Sequence, residues 1–156
     1  MIQKIKNALI SVSDKSDLQK ILPTLDKYKI NLISSGGTYK EIKKLGYKCN
    51  ELSKYTEFDE MLGGRVKTLH PKIHAGILSD RSNKEHQDEM VKNKFKNIDL
   101  IIVNFYPFQK IVLKTKNSRN IIENIDIGGP TMVRAAAKNF KDVLIITDKK
   151  DYDALV

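Results

Sequence analysis

Ile98 to Asn104 reads Ile-Asp-Leu-Ile-Ile-Val-Asn and is the strongest strand signal in the chain. A nearly unbroken apolar run of this length suits a strand covered on both faces, as in a parallel sheet. Ala8 to Val12, Ile30 to Ser34 and Val143 to Thr147 are shorter runs of the same kind. Segments with helical spacing lie between them. Leu18, Ile21, Leu22 and Leu25 share one face of a helix that Ser16 or Asp17 is placed to cap and that Pro23 interrupts. Ile42 and Leu45 mark a second helix, stopped by Gly46. Weaker signals predict strands at Tyr47 to Leu52 and Ala75 to Leu78, and helices at Ser82 to Phe95 and Arg119 to Asn124. Ile127-Gly128-Gly129-Pro130 opens a further helix with proline in its first turn, and Lys149 to Val156 begins another. Strands alternating with helices specify an α/β fold, a single-domain open and mostly parallel sheet flanked by helices.

The length of 156 residues fits one domain, and no apolar run approaches the ~20 residues of a membrane span. Met1 to Asn7 alternates lysine with isoleucine and leads straight into a strand, so no signal peptide is expected. The single cysteine, Cys49, excludes an internal disulfide and fits a reducing cytoplasm. It also excludes a metal site built from several thiolates. The net charge of +9 raises a nucleic-acid reading, but it comes from 24 Lys and only 4 Arg spread along the whole chain. Base readout favours arginine, and strand binding favours clustered aromatics. A phosphorylated small molecule uses the same charge without either, and neither nucleic acid nor membrane is expected as a partner.

Four polar motifs fall where α/β sheets bind ligands, beyond the carboxyl ends of strands. Ser35-Gly36-Gly37-Thr38 sits between a strand and a helix, where free amides and small side chains make an anion cradle. It lacks a Walker Gly-Lys-Ser/Thr ending, so a nucleoside triphosphate is not indicated. Ser13 and Lys15 follow the first strand and can supply a hydroxyl and a counter-charge to the same anion. The segment from Gly63 to Gly76 carries Arg65, Lys67, Thr68, His70 and His74 with no core-forming period, which marks a binding loop. Arg65 and Lys67 alternate, so in an extended chain they point the same way. His70 and His74 stand four apart, but Pro71 speaks against the helix that would let them share a metal. Asn104 and Tyr106 follow the buried strand, and Asp126 precedes the Gly128-Gly129 helix start, where capping is its ordinary role. Lys138, further along that helix, would be a solvated lysine in most proteins.

Taken in order, Ser-Val-Ser-Asp-Lys (11–15), Ser-Gly-Gly-Thr (35–38), Glu60 to Pro71, Asn104 to Phe108, Asn124 to Pro130 and Arg134 to Asn139 match one family. The chain resembles the IMP cyclohydrolase domain of the bifunctional purine-biosynthesis protein PurH, and the resemblance covers essentially all 156 residues. It implies a methylglyoxal synthase-like fold. The reaction it implies is ring closure of 5-formamidoimidazole-4-carboxamide ribotide (FAICAR) to IMP, with loss of water and with neither cofactor nor metal. By the same resemblance Ser13, Lys15, Ser35, Gly36, Gly37 and Thr38 look like a 5′-phosphate cradle. Arg65, Lys67, Thr68, Asn104, Asp126 and Gly128 match positions around base and ribose. Lys67, Tyr106, Asp126 and Lys138 match positions assigned to proton transfer and polarisation. The chemistry needs such groups, because an amide nitrogen is a poor nucleophile and hydroxide a poor leaving group.

The family protein continues into a larger transformylase domain that nothing in this chain could hold, so formyl transfer is not expected. The family is dimeric, but much of its dimer contact lies in that domain, so a homodimer remains an open expectation. Regulatory domains of the same fold bind nucleotides without catalysis, and a non-catalytic nucleotide-binding module is the alternative reading. Methylglyoxal synthase itself has no use for base-recognition groups, and the Arg65 to His74 block argues against it.

Overall fold

A computed structural model describes residues 4–156. Five parallel strands form one sheet in the order β3-β2-β1-β4-β5, with β1 at Asn7–Val12, β2 at Asn31–Ser34, β3 at Asn50–Glu51, β4 at Leu100–Asn104 and β5 at Leu144–Ile146. β1 sits at the centre, paired with β2 from Asn7 to Ile10 and with β4 from Ala8 to Val12. Leu9, Ile10, Ile33, Leu100 and Ile101 are fully buried, which is the two-sided covering that their unbroken apolar runs require.

Helices α1 (Leu18–Lys27) and α2 (Gly36–Lys44) share one core with Ala8, Ile10, Leu100 and Ile102. The opposite core takes Leu9, Ile33, Ile101 and Val103 against α4 (Pro71–Leu78) and α8 (Gly128–Lys138). The remaining helices are α3 (Leu52–Thr56), α5 (Lys84–Lys92), α6 (Phe108–Lys114), α7 (Ser118–Glu123) and α9 (Tyr152–Leu155). Tyr152 is fully buried in the α1 layer, where burial and the nearby Asp14, Asp17 and Asp148 carboxylates push its hydroxyl up to about 12. Burial likewise pushes the Cys49 thiol up to about 11.

Several sequence expectations need correction. The residues 75–78 are the end of helix α4, not a strand. Pro71 starts that helix instead of preventing it, because the first helical amide has no partner in the helix and its loss costs nothing. His70 caps the same turn, its Nδ1 accepting from Lys72 N at 3.1 Å. The third strand shrinks to Asn50–Glu51, since Leu52 turns inward to begin α3. Asp17 precedes α1 in a left-handed conformation (φ 69°) and makes no side-chain cap, while Ser16 donates to Asp14. α6 has no counterpart in the sequence reading, and none of its residues is buried.

Gly76 lets α4 lie directly on the strand layer. A Cβ there would stand 2.7 Å from the Lys96 carbonyl oxygen and 3.1 Å from Ile98 Cγ1. Gly76→Ala is therefore expected to lower the unfolding free energy by about 1–3 kcal/mol, read from urea denaturation, because backbone must move to admit the methyl group.

Candidate active site

The strand order places a topological switch between β1 and β4, where successive connections leave in opposite directions. A cleft of about 530 Å³ opens there, at the carboxyl rim of the sheet. Four segments line it: the loop after β1, the start of α2, residues 63–68, and the stretch from Asn104 to the start of α8. Thirteen of the fourteen sequence-derived candidates line this one cleft. Lys138 is the exception. α8 begins at the cleft and carries Lys138 away to its exposed far end, about 15 Å along the axis.

The anion-binding half is built on α2. Its amides at Gly36, Gly37 and Thr38 precede the first bond back into the helix, from Tyr39 N to Ser35 O at 3.2 Å. Two ammonium groups flank these amides. Lys15 Nζ donates to Ser13 O at 3.0 Å, and its Cε would be 3.0 Å from a Cβ at Gly37. Lys67 Nζ would be 3.4 Å from a Cβ at Gly36, which sits at φ 53°. Free amides at a helix start between two lysines form an electropositive seat for a phosphate-sized anion. The Thr38 hydroxyl takes no part, because it is buried and spent on β1, donating to Val12 O at 2.9 Å and accepting from Val12 N at 3.2 Å.

Asn104, at the end of β4, holds the loop after β1 in place. Its Oδ1 accepts from Ser13 N at 2.6 Å and Asp14 N at 2.9 Å, and its Nδ2 donates to Asp14 O at 3.0 Å. Its side-chain amide is thus committed to the loop. Asp126 caps α8 through Oδ1, which accepts from Gly129 N at 2.8 Å. Thr68 is buried with its hydroxyl against Gly128, where a Cβ would come within 2.5 Å of Oγ1. Tyr106 is half exposed at the rim.

Arg65 and Lys67 do not project together from an extended strand. Arg65 is in a helical conformation (φ −65°, ψ −25°) after a 3-10 turn at Leu62–Gly64, and the two cations, both on the cleft, meet different carboxylates. Arg65 pairs with Glu123 at the end of α7, which draws the Glu123 carboxyl below the usual carboxylate range and holds the guanidinium above its own. Lys67 pairs with Glu60 at 3.1 Å. These two carboxylates escaped the sequence reading. Glu60 stands inside the most distinctive motif, but only the fold shows which cation it faces.

His70 and His74 both lie at the start of α4, yet no group of His, Cys, Asp or Glu suited to a metal occurs among the described residues. His74 instead supports the cleft. The Thr68 backbone lies beside its ring and favours the charged form, while its Nε2 is buried without a hydrogen-bond partner. Burial, the larger effect, lowers its pKa below 6.5 despite the Thr68 backbone.

A five-stranded parallel sheet with a glycine-opened helix and flanking lysines at its switch point defines an open α/β domain with an electropositive cleft at the carboxyl rim. A family model for the MGS-like domain matches residues 17–131, and the chain belongs to that family. It is 50% identical to the bifunctional purine biosynthesis protein PurH of Clostridium perfringens (strain SM101), over 97% of this chain and 30% of that protein. PurH of Leptospira biflexa is also 50% identical, over 99% of this chain and 30% of its own length. The chain thus spans about 30% of the curated relatives it matches. The crystal structure of ForH superposes with a TM-score of 0.83 at 30% identity, covering 97% of this chain and 77% of that one.

Two outcomes follow from this geometry. Removing the Asn104 side-chain amide frees two amides and one carbonyl of the Ser13–Asp14 loop, so Asn104→Ala should lower the unfolding free energy by about 1–2 kcal/mol in urea denaturation. His74 is harder to protonate folded than unfolded, so its contribution to stability is complete above about pH 6.5 and is lost as the pH falls below that value. Urea midpoints measured between pH 7.5 and 5.5 should fall less steeply in His74→Gln than in the parent.

Proposed function

We propose that this chain is an IMP cyclohydrolase domain that closes FAICAR to IMP. The observation that carries the reading is the convergence of Lys15, Lys67 and the free α2 amides on one seat, beside the base-facing Arg65–Thr68 and Asn104–Tyr106 segments, in a cleft of nucleotide size. The half-identity to PurH supports it, and the domain corresponds to the 30% of PurH that the match covers. Formyl transfer from 10-formyltetrahydrofolate belongs, on this reading, to the remainder of PurH. A homodimer and a cytoplasmic location belong to the same reading. Among the described residues no helix is long and apolar enough to cross a membrane.

The 5′-phosphate occupies the α2 seat, with the ribose and imidazole running toward Thr68, Tyr106 and Gly128. The carboxamide nitrogen attacks the formyl carbon, a C–N bond forms, and the formyl oxygen takes up the proton lost by that nitrogen. The ring is then closed as a carbinolamine, whose C–O bond breaks: the hydroxyl leaves as water with a second proton, the adjacent ring nitrogen gives up its own proton, and a C=N bond forms within the pyrimidine ring. Lys67, as a cation held at the rim, stabilises the oxygen as it gains charge and supplies a proton to it. Tyr106 lines the same rim and relays the second proton. Asp126 acts by holding the start of α8, so that Gly128 and Thr68 stay against the substrate. Since both reacting groups belong to one molecule, most of the acceleration comes from holding its reactive rotamer.

Purified protein mixed with FAICAR should give IMP, followed by ultraviolet absorbance, and AICAR with 10-formyltetrahydrofolate should give none. Lys67→Ala should lower kcat about 100-fold, and unchanged turnover in that variant would remove Lys67 from the proton steps. IMP binding without turnover would favour the non-catalytic module.

A further inference from the structure

We propose that Glu60 is a positioning residue that fixes the Lys67 ammonium over the cleft, a role that rests on the cyclohydrolase reading for its kinetic consequence. The hairpin register brings the pair together. Met61 and Val66 form an isolated antiparallel bridge, with Met61 N donating to Val66 O at 3.3 Å and Val66 N to Met61 O at 3.4 Å. Glu60 and Lys67 are the next residues outward on either side, so the bridge sets them opposite each other. Their charged atoms meet at 3.1 Å.

The ground beneath the pair is cleared for it. Gly64 adopts φ 91°, and a Cβ there would stand 2.6 Å from Lys67 Cε, 3.2 Å from its Nζ and 3.3 Å from Glu60 Oε2. Gly36 does the same on the far side, 3.4 Å from Nζ. Lys67 is thus laid against two glycines, one at the start of α2 and one in the 3-10 turn, with a carboxylate at its end. Both side chains remain partly exposed, so the pair adds little to stability. A lysine left alone would distribute its ammonium over many rotamers, and an ion pair of fixed register confines it to the one that faces the α2 seat.

The experiment is a double-mutant cycle in FAICAR turnover. Glu60→Gln keeps the shape and removes the charge. It should lower kcat about tenfold or more with KM changed less than threefold, while its urea midpoint stays at the parent value. Glu60→Asp should recover part of the loss. In a Lys67→Ala background, Glu60→Gln should change kcat less than twofold, because a residue that acts through Lys67 has nothing left to act on. An equal loss in both backgrounds, or no loss in the parent, overturns the proposal. Should the parent bind IMP without turning over FAICAR, the cyclohydrolase reading fails by itself. The same cycle read as IMP affinity by calorimetry then decides the pair, non-additive effects supporting it and additive effects overturning it. A parent that neither turns over FAICAR nor binds IMP overturns both.

Discussion

The side-chain amide of Asn104 joins the two halves of the ligand-facing rim, and the geometry of the cleft depends on it. With strands ordered β3-β2-β1-β4-β5, the connections after β1 and β4 part at their carboxyl ends and leave backbone groups facing an open crevice. Asn104 satisfies three of them at once, accepting from Ser13 N and Asp14 N and donating to Asp14 O. Asparagine is suited to this because it presents an acceptor with two lone pairs and a donor on one short side chain. Aspartate would face Asp14 O with no donor, and an apolar residue would leave all three groups unpaired. The loop so fixed presents Ser13 O to Lys15 Nζ at 3.0 Å, which sets that ammonium over Gly37. The electropositive rim is therefore assembled across the switch point.

Around that rim the chain gathers cations that the two core layers lack. Both layers against the sheet are aliphatic, whereas the cleft gathers Lys15, Arg65 and Lys67. Cations brought together without ligand would repel one another and relax outward. Here two of the three are held by carboxylates from neighbouring segments, Arg65 by Glu123 and Lys67 by Glu60. The field that meets a substrate is thereby arranged in advance, which is what makes such groups effective at a developing charge.

How much of this was legible follows from which interactions are local. The central strands were readable because burial on both faces leaves a short apolar run bounded by polar turns, as at Leu100 to Val103. The turn from β2 into α2 was readable because Ser35-Gly36-Gly37-Thr38 puts small and polar residues between an apolar run and a helical pattern. Elements held by few buried contacts were not: α6 buries no residue, and β3 is a two-residue edge. Pro71 misled through a rule that holds in helix interiors and reverses at the first helical position. The pairing of individual side chains left no trace. Thr38 looked like a ligand hydroxyl, but Val12 uses it, and the partners of Arg65 and Lys67 lie where only the folded chain brings them. Lys138 belongs to a matching motif, yet the direction of α8 carries it away from the cleft.

The two ends of the cleft are built to different standards, and the difference suits the proposed reaction. At the α2 end, the loop after β1 is hydrogen-bonded to Asn104, and Thr38 ties the helix start to Val12, so the seat is anchored in the central sheet. At the other end the wall comes from α7 and the turn into α8, where Ile122, Ile125 and Ile127 are all more than half exposed or nearly so and α7 buries nothing. That wall is tied to the body through the Arg65–Glu123 pair and through Phe105 packed on Gly129. An anchored phosphate seat fixes the substrate at one point, and an apolar wall with few fixed contacts can close over the imidazole once it is bound. Ring closure by an amide nitrogen benefits from both features. The anchor removes the freedom of the whole molecule, and the wall excludes the water that would otherwise compete for the formyl carbon and favour the open form.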